Sequence, residues 1–200
     1  GYVDRVFVGR DNADYKYCKV RIRKDKIPEM GDKFCSRHGQ KGVIGMTYKH
    51  DNMPYTKSGI VPDMLINPHA FPSRMTIGQF VECVMGKSAA EMGVRSDSTP
   101  FTDINKEKMC GVLETCGFER YGNEVLYSGI TGKQLKVSIF IGPTFYLRLT
   151  HQVAKKMFSR ATGPMTALTR QPLGGRAAGG GLRIGEMERD ALISHGAALF

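Results

Sequence analysis

The densest group of side chains that could do chemistry lies between residues 31 and 42. This segment reads Gly-Asp-Lys-Phe-Cys-Ser-Arg-His-Gly-Gln-Lys-Gly and holds four cations or potential cations, Lys33, Arg37, His38 and Lys41, among three glycines. Glycine lets the backbone approach a ligand closely and adopt positive φ, and lysine ammonium groups act as point charges against phosphate oxygens. The segment is therefore a candidate phosphate-binding loop, although a basic, glycine-rich loop is by itself a weak motif.

Other kinds of site are disfavoured. The pattern GxxxxGK[ST] occurs nowhere in the chain, which argues against a P-loop ATPase. Cys35 or His38 could serve as the nucleophile of a metal-independent enzyme, but neither has a base and an orienting group nearby in sequence. The five cysteines include no CxxC pair, so their spacing favours reduced thiols of an intracellular protein over a zinc site.

The 200-residue chain has a formal net charge of +10 at pH 7, from 29 Lys+Arg and 19 Asp+Glu. Because 41% of the residues are hydrophobic, the chain can bury a core and is not a disordered polyelectrolyte. No apolar run approaches the roughly 18 residues that a membrane helix needs. The positive surplus predicts an anionic partner, either nucleic acid or an acidic surface.

The charge is distributed unevenly along the chain. Residues 1–50 carry +6, residues 51–132 carry −3 and residues 133–189 carry +8, and no acidic residue occurs between Glu124 and Glu186. An ordinary solvated face mixes both signs, so the acid-free stretch predicts a surface that follows a polyphosphate. A basic face without a partner is the alternative. The cations in this stretch are Lys133, Lys136, Arg148, Lys155, Lys156, Arg160, Arg170, Arg176 and Arg183.

The periodicity of the apolar residues predicts a mixed α+β fold. Thr76 can cap a helix, with Phe80, Val81 and Val84 towards the core. The apolar last residues, 197–200, resemble the middle of a helix, so we expect a piece of a longer polypeptide. The predicted strands are 3–8, 17–23, 43–48, 124–127 and 135–141, the predicted helices are 77–92, 100–116 (opened by Thr102 or Asp103), 145–160 and one from Glu186, and the predicted loops are 51–73 and 170–185.

A set of short motifs runs along most of the chain, apart from residues 1–25 and 95–135. After the loop at 31–42 come Gly-Ile-Val-Pro-Asp (59–63), Ile-Asn-Pro-His-Ala (66–70), Pro-Ser-Arg-Met-Thr (72–76), Phe-Ile-Gly-Pro-Thr-Phe-Tyr (140–146), His151, Leu-Thr-Arg-Gln-Pro (168–172), Gly-Gly-Leu-Arg (180–183) and Gly-Glu-Met-Glu-Arg-Asp (185–190). In this order they resemble the hybrid-binding region of the second-largest, β-type subunit of multisubunit DNA-directed RNA polymerases. The last motif and the Gly-Asp-Lys-Phe opening are similar to the archaeal, eukaryotic and large-DNA-virus branch.

The resemblance implies an α+β fold in which part of a double-psi β-barrel forms from both ends of the chain, with an inserted helical and loop segment. It divides the chain into four segments. They are barrel strands with the catalytic lysine loop (1–50), a Pro-rich loop and helices (51–132), a barrel return with a helix and a glycine-rich, switch-like loop (133–185), and the start of the following C-terminal region (186–200).

The resemblance also implies roles for single residues. Lys33 and Lys41 would lie by the RNA 3′ end and the incoming nucleotide, and Arg74 would contact the nucleotide triphosphate. His151 matches a histidine near the initiating nucleotide site, with a plain packing role as the alternative. The further residues expected to bind nucleotide or nucleic acid are Arg37, Gln40, Arg170, Arg176 and Arg183.

The function that the resemblance implies is template-directed RNA synthesis by a nucleotidyltransferase complex, with this chain inactive alone. The Mg²⁺ ions would be held by the largest subunit, and neither Mg²⁺ nor zinc is expected to bind this chain. The expected partners are the largest and other polymerase subunits, the DNA template, the RNA transcript and NTPs, with no membrane. The expected location is intracellular: the nucleus, or the cytoplasm or virion for an archaeal or viral protein. The alternative is a stand-alone nucleic-acid-binding module without catalytic activity.

Overall fold

The computed structural model of the chain describes residues 1–103 and 105–199. The predicted helix over 100–116 includes Ile104 and the apolar end includes Phe200, and both of these residues lie outside the described ones. The chain divides into two compact units, Gly1–Leu149 and Thr150–Phe200, and each is described by itself.

In the described residues, all the strands and the first three helices belong to the first unit. The strands are β1 (Tyr2–Arg10), β2 (Lys16–Arg23), β3 (Lys33–Ser36), β4 (Lys41–Val43), β5 (Tyr55–Thr56), β6 (Asn123–Tyr127), β7 (Gln134–Phe140) and β8 (Tyr146–Arg148), and the helices are α1 (Ala70–Arg74), α2 (Ile77–Met92) and α3 (Lys106–Thr115). The second unit holds α4 (Val153–Lys156) and α5 (Glu186–His195). The predicted mixture of helices and strands is confirmed.

The strands form three separate antiparallel sheets, ordered β1-β2, β4-β3-β8 and β5-β6-β7. The early and late parts of the first unit meet in the second sheet, where Ser36 pairs with Tyr146. Within residues 1–103 and 105–199 no sheet closes into a barrel, so the double-psi barrel is not confirmed. The edge strands β4 and β8 have three residues each. Strands this short form too few hydrogen bonds for the sheet to close on itself.

Two predicted elements near the lysine loop are wrong. The strand predicted over 43–48 lies earlier, because β4 pairs with β3 only up to Val43. Two further backbone hydrogen bonds, from the Ile44 N–H to the Asp32 carbonyl (3.0 Å) and from the Gly31 N–H to the Ile44 carbonyl (2.9 Å), end the pairing. The helix predicted over 145–160 is β8 followed by the single turn α4. Pairing with β3 and an ion pair between Arg148 and the buried Asp32 hold this segment extended.

Helix α2 has its predicted bounds, but it buries a different face. The buried side chains are Gln79, Cys83, Lys87 and Ser88, while the three apolar residues predicted to face the core are only half-buried. Polar groups are buried at little net cost when they are hydrogen-bonded. Gln79 has its partners on the sheet β4-β3-β8, and Lys87 has its partner on the sheet β5-β6-β7. Thr76 stands at the N-cap as predicted, but its side chain makes no cap hydrogen bond and accepts one from the Gln40 amide instead.

Helix α3 begins later than predicted. Asn105 is its N-cap, and its side-chain oxygen accepts a hydrogen bond from the Lys108 N–H (2.9 Å), in place of the predicted Thr102 or Asp103. The helix packs on α2, where the Ser88 hydroxyl donates to the Met109 carbonyl (3.3 Å). The strands predicted over 124–127 and 135–141 are confirmed as β6 and β7.

The Lys87 ammonium joins α2 to the third sheet. It pairs with Glu124 on β6, donates to the carbonyl oxygens of Gly122 (3.4 Å) and Ile141 (3.3 Å), and lies 4.8 Å from the centre of the Phe118 ring. Only 9% of the Lys87 side chain is exposed. An ammonium this deeply buried is tolerated because carboxylate, carbonyls and ring together replace its water.

The second unit is organised around its glycine-rich segment. Arg160 donates to the carbonyl oxygens of Gly179 (2.8 Å) and Pro164 (2.9 Å). The predicted loop over 170–185 is confirmed, apart from a 3₁₀ turn at Arg176–Ala178, and α5 begins at Glu186 as predicted. None of the helices in the described ranges combines the length and apolarity needed to cross a bilayer.

Replacing Lys87 with Met should lower the free energy of unfolding by about 3–5 kcal/mol, because it leaves Glu124 without its buried partner. Urea unfolding followed by circular dichroism measures the change. The matched control is Lys133→Met, at an exposed lysine, which should shift stability by less than about 0.5 kcal/mol. Equal effects of the two substitutions would contradict a stabilising role of the Lys87 cluster.

Candidate functional site

The register of β3 and β4 places both lysines of the loop on one face of the hairpin. Lys33 pairs with Val43, and Cys35 pairs with Lys41. Because paired residues share a face and every second residue returns to it, Lys33 and Lys41 are diagonal neighbours, which lie roughly 7–8 Å apart in a typical antiparallel pair. Lysine side chains that start from positions at this spacing are long enough for both ammonium groups to reach neighbouring oxygens of one polyphosphate.

The lysine face is open. Lys41 is exposed and Lys33 half-buried, and within the described residues neither ammonium has a hydrogen-bond or ion-pair partner. A Cβ added to Gly39 or Gly42 would meet no atom within 4 Å, so the backbone of the loop can also be approached closely. Gly39 has φ +72°, a conformation that glycine adopts without strain. An anion between the lysines would relieve their mutual repulsion.

The opposite face of the hairpin is fixed to α2. The Ser36 hydroxyl donates to the Gln79 amide oxygen (3.2 Å), and the Gln79 amide nitrogen donates to the Tyr146 hydroxyl (3.1 Å). Ser36 and Gln79 are 4% and 3% exposed. Burial raises the pKa of Tyr146 above its ordinary value. This neutral, buried network gives the lysine face a rigid support.

Glu82 on α2 holds the tip of the loop. Its carboxylate accepts a hydrogen bond from the Arg37 guanidinium (2.5 Å), contacts the His38 imidazole and accepts from the Phe145 backbone N–H (3.1 Å). Burial acts to raise the pKa of Glu82, but these donors hold it below its ordinary value of 4.5. The Arg37 guanidinium also lies 5.1 Å from the centre of the Phe145 ring. Arg37 is therefore already paired within the fold.

Gln40 and Arg74 join the loop to the junction of α1 and α2. The Gln40 amide nitrogen donates to the Thr76 hydroxyl (2.6 Å) and to the Ala70 carbonyl (3.4 Å). Arg74, exposed at the end of α1, lies with one guanidinium nitrogen 3.5 Å from the Gly39 carbonyl oxygen. Arg74 therefore lies beside the lysine hairpin and directs its positive charge at the tip of the hairpin. Gln40 anchors the loop.

A buried ion pair supports the start of the hairpin. Asp32 is 1% exposed and pairs with Arg148 on β8. Arg148 also donates to the backbone carbonyls of Lys26 and Ile27. Since Asp32 directly precedes Lys33, this pair fixes the entry into β3 and the position of β8 together.

The other predicted binding residues belong to the second unit. His151, Arg170, Arg176 and Arg183 are all exposed, and in the part of the chain that the structure describes none of their side chains has a hydrogen-bond or ion-pair partner. Arg170 has φ +53°. The structure thus gathers five predicted site residues at the hairpin, namely Lys33, Arg37, Gln40, Lys41 and Arg74, and leaves four in a unit described separately.

Sequence reasoning missed Glu82 and Gln79, which position the loop. The available signal for Glu82 was that it is the single carboxylate in residues 77–90, most of which are small or apolar. Gln79 offered no signal, because an uncharged polar residue fits an exposed helix face equally well.

The nucleophile hypothesis gains no support from the geometry. Cys35 shares the lysine face of the hairpin, whereas the His38 ring contacts Glu82 on the side of α2. The two therefore do not form a nucleophile–base pair. Among residues 1–103 and 105–199, no three His, Cys, Asp or Glu side chains are grouped so as to hold a metal ion.

Comparison with known proteins finds relatives along the chain. A family model described as RNA polymerase Rpb2, domain 6, matches residues 1–178. The chain is 53% identical over 200 residues to DNA-directed RNA polymerase II subunit 2 of Arabidopsis thaliana, and 51% identical over 201 residues to DNA-directed RNA polymerase subunit 2 of Acanthamoeba polyphaga mimivirus. It is 49% identical over 199 residues to DNA-directed RNA polymerase subunit Rpo2 of Saccharolobus solfataricus.

These three matches cover 100% of this chain and 17%, 17% and 18% of the relatives' own lengths. The chain therefore spans about a sixth of the length of the curated relatives it matches.

The lowered pKa of Glu82 predicts how stability depends on pH. The stabilisation from its pairs is fully present above pH 4.5 and is lost as the pH falls through the lower pKa of the folded state. At pH 7, Glu82→Gln should cost about 1.5–3 kcal/mol, the range for hydrogen bonds to charged groups, and this difference should shrink at acid pH. Urea titrations between pH 7 and pH 3 measure it.

Glu91→Gln is the matched control, because Glu91 is an exposed carboxylate on the same helix. A Glu82→Gln variant whose loss of stability is the same at pH 7 and pH 3 would refute the role of the ionised carboxylate.

Proposed function

The chain belongs to the RNA polymerase Rpb2 domain 6 family, in the second-largest subunits of DNA-directed RNA polymerases, and on that premise we propose that it supplies basic residues for template-directed RNA synthesis. The observation that carries the proposal is the pair Lys33 and Lys41, on one open face without an acidic partner in the described residues. The predicted branch is confirmed, since relatives come from a plant, a large DNA virus and an archaeon.

We propose that Lys33 and Lys41 hold the RNA 3′ end and the incoming NTP. Phosphoryl transfer spreads negative charge over the phosphate oxygens, so catalysis rests mainly on positioning and on fixed positive charge. A hairpin whose far face is fixed by buried hydrogen bonds to Gln79 presents its charges without needing to reorganise. Arg74, beside the loop tip, would contact the triphosphate. Arg37 and Gln40, both engaged within the fold, would act chiefly by holding the loop.

For the second unit we propose contacts to nucleic acid. Arg170, Arg176 and Arg183 are exposed and unpaired within the described ranges, and they stand in the acid-free stretch of the sequence. Arginine side chains and open glycine backbone suit the phosphates of an RNA–DNA hybrid. His151, exposed as well, would lie near the initiating nucleotide.

The remaining parts of the proposal concern partners. The Mg²⁺ ions would be held by the largest subunit and would supply Lewis-acid charge at the phosphates. The DNA template, the RNA transcript, NTPs and the other polymerase subunits complete the partners, in an intracellular complex outside any membrane. We further propose that β4-β3-β8 is part of a double-psi barrel completed elsewhere in the subunit, and that the four segments 1–50, 51–132, 133–185 and 186–200 divide these tasks.

The alternative of a stand-alone nucleic-acid-binding module is less favoured. The relatives named above are polymerase subunits roughly six times as long, with this chain matched from end to end.

In the whole polymerase, Lys41→Ala should slow nucleotide addition by about 10²-fold, as when a fixed donor to transition-state charge is removed. Single-turnover extension of a preassembled primer–template measures the rate, and gel filtration checks that the subunits still assemble. Lys108→Ala is the control, because Lys108 is an exposed lysine on α3. An unchanged addition rate in Lys41→Ala would refute the catalytic role.

Arg176→Ala should weaken retention of the RNA–DNA hybrid. Each lost phosphate contact lowers the slope of log affinity against log salt concentration by about 1. The measurement is the half-life of stalled elongation complexes over a series of KCl concentrations. Arg120→Ala, which removes an exposed arginine near Glu114, serves as the control, and an Arg176→Ala slope equal to that of the control would contradict the contact.

A further inference from the structure

The β1–β2 ribbon has two faces of opposite chemistry. Val6 pairs with Val20, and Phe7 pairs with Lys19, so neighbouring pairs alternate between the faces. One face is mainly apolar: it carries Val3, Val6, Val8, Cys18, Val20 and Ile22, and it ends on the paired cations Arg10 and Lys16 next to the turn. The other is cationic and aromatic and carries Arg5, Phe7, Tyr17, Lys19, Arg21 and Arg23. All these side chains are exposed.

A β-bulge keeps the two faces distinct along the ribbon. The register shifts between Val3 and Arg5, so that one extra residue, Asp4, enters β1. Without the shift, Arg5 would share a face with Val3, because alternate residues point the same way. The bulge turns Arg5 to the cationic face, where Asp4 also pairs with Arg21 (3.2 Å).

On the cationic face, positive charges lie beside aromatic rings. The guanidinium groups of Arg5 and Arg21 lie 5.5 and 6.0 Å from the centre of the Phe7 ring, and the Lys19 ammonium lies 5.2 Å from that of Tyr17. Phe7 and Tyr17 are 44% and 42% exposed. Exposed rings with cations beside them suit a single strand, since bases stack on rings and phosphates pair with cations.

Glycine at position 9 allows one of these rings to lie flat. Gly9 pairs with Tyr17, and a Cβ added to Gly9 would stand 2.8 Å from the Tyr17 hydroxyl oxygen and 2.9 Å from the adjoining ring carbon. The ring therefore lies across the Gly9 backbone with its other side outward. A flat, supported ring is a stacking platform for a base.

We propose that the cationic face of the β1–β2 ribbon binds a single-stranded nucleic acid. Phe7 and Tyr17 stack on bases, and Arg5 and Lys19 pair with the phosphates. The apolar face is the one that a protein core covers, because an apolar surface of that kind is unfavourable in water. The inference rests on the proposed place of this chain in a polymerase, but it uses none of the lysine-hairpin residues and concerns a separate sheet.

An acidic protein segment would satisfy the charges of this face but would leave the rings without a stacking partner. A nucleic acid strand uses both sets of side chains, which is why the geometry favours it.

The test uses a photoreactive side chain in the whole polymerase. p-Benzoylphenylalanine replaces Phe7 in one enzyme and Val8, its neighbour on the apolar face, in a second. Both are irradiated in elongation complexes whose RNA and DNA strands carry separate labels. We expect the probe at position 7 to attach to single-stranded RNA or DNA, and the probe at position 8 to attach only to protein.

Charge variants then test the phosphate contacts. In the enzyme with the probe at position 7, Arg5→Ala combined with Lys19→Ala should lower the yield of nucleic acid adducts by about three- to tenfold. Arg10→Ala combined with Lys16→Ala is the matched control, because it also removes two charges from the same ribbon but on the side of the apolar face, and it should leave the yield unchanged.

Adducts of the position-7 probe with protein alone, no nucleic acid adduct, or equal nucleic acid adducts from positions 7 and 8 would each overturn the proposal. These outcomes are independent of the proposed function, whose failure would show as normal nucleotide addition by Lys41→Ala.

Discussion

The structure of the first unit depends on the hydrogen bonding of polar side chains that α2 buries. Gln79 reaches the sheet of the lysine hairpin, and Lys87 reaches the third sheet through Glu124 and two backbone carbonyls. Between them, the carboxylate of Glu82 ties down the loop tip. Buried polar groups are costly unless each has a hydrogen-bond partner. These side chains therefore fix one position of the helix against the two sheets, whereas an apolar helix face could pack in several.

This arrangement divides the basic residues into two classes. Lys87, Arg148, Arg37 and Arg160 are bound to carboxylates or backbone carbonyls, and their charge is used to hold the fold together. Lys33 and Lys41, by contrast, have no acidic partner in the described ranges. A net charge of +10 therefore overstates the charge available to a ligand. The available part lies on the hairpin, on the ribbon and along the second unit.

The predictions from sequence agree with the structure where they depend on neighbouring residues alone. The alternation in β1 and β2, the bounds of α2 and the start of α5 were predictable, because the periodicity of apolar and polar residues is a local property. The helix predicted over 145–160 was wrong because two distant partners, β3 and Asp32, hold residues 146–148 extended. The prediction of which face α2 buries was wrong for a related reason. Apolarity predicts burial, but the hydrogen bonds that allow Gln79 and Lys87 to be buried come from other elements.

By itself, the sequence determined the family, the basic character and the position of the lysine loop in the chain, because motifs and composition need no knowledge of contacts. Only the tertiary structure decided that Lys33 and Lys41 share an open face, since one residue of register shift would have separated them. It also decided that Arg37 is paired with Glu82. Whether a charge is free or bound depends on which distant residue stands opposite it, and that is set by packing between elements that are far apart in the chain.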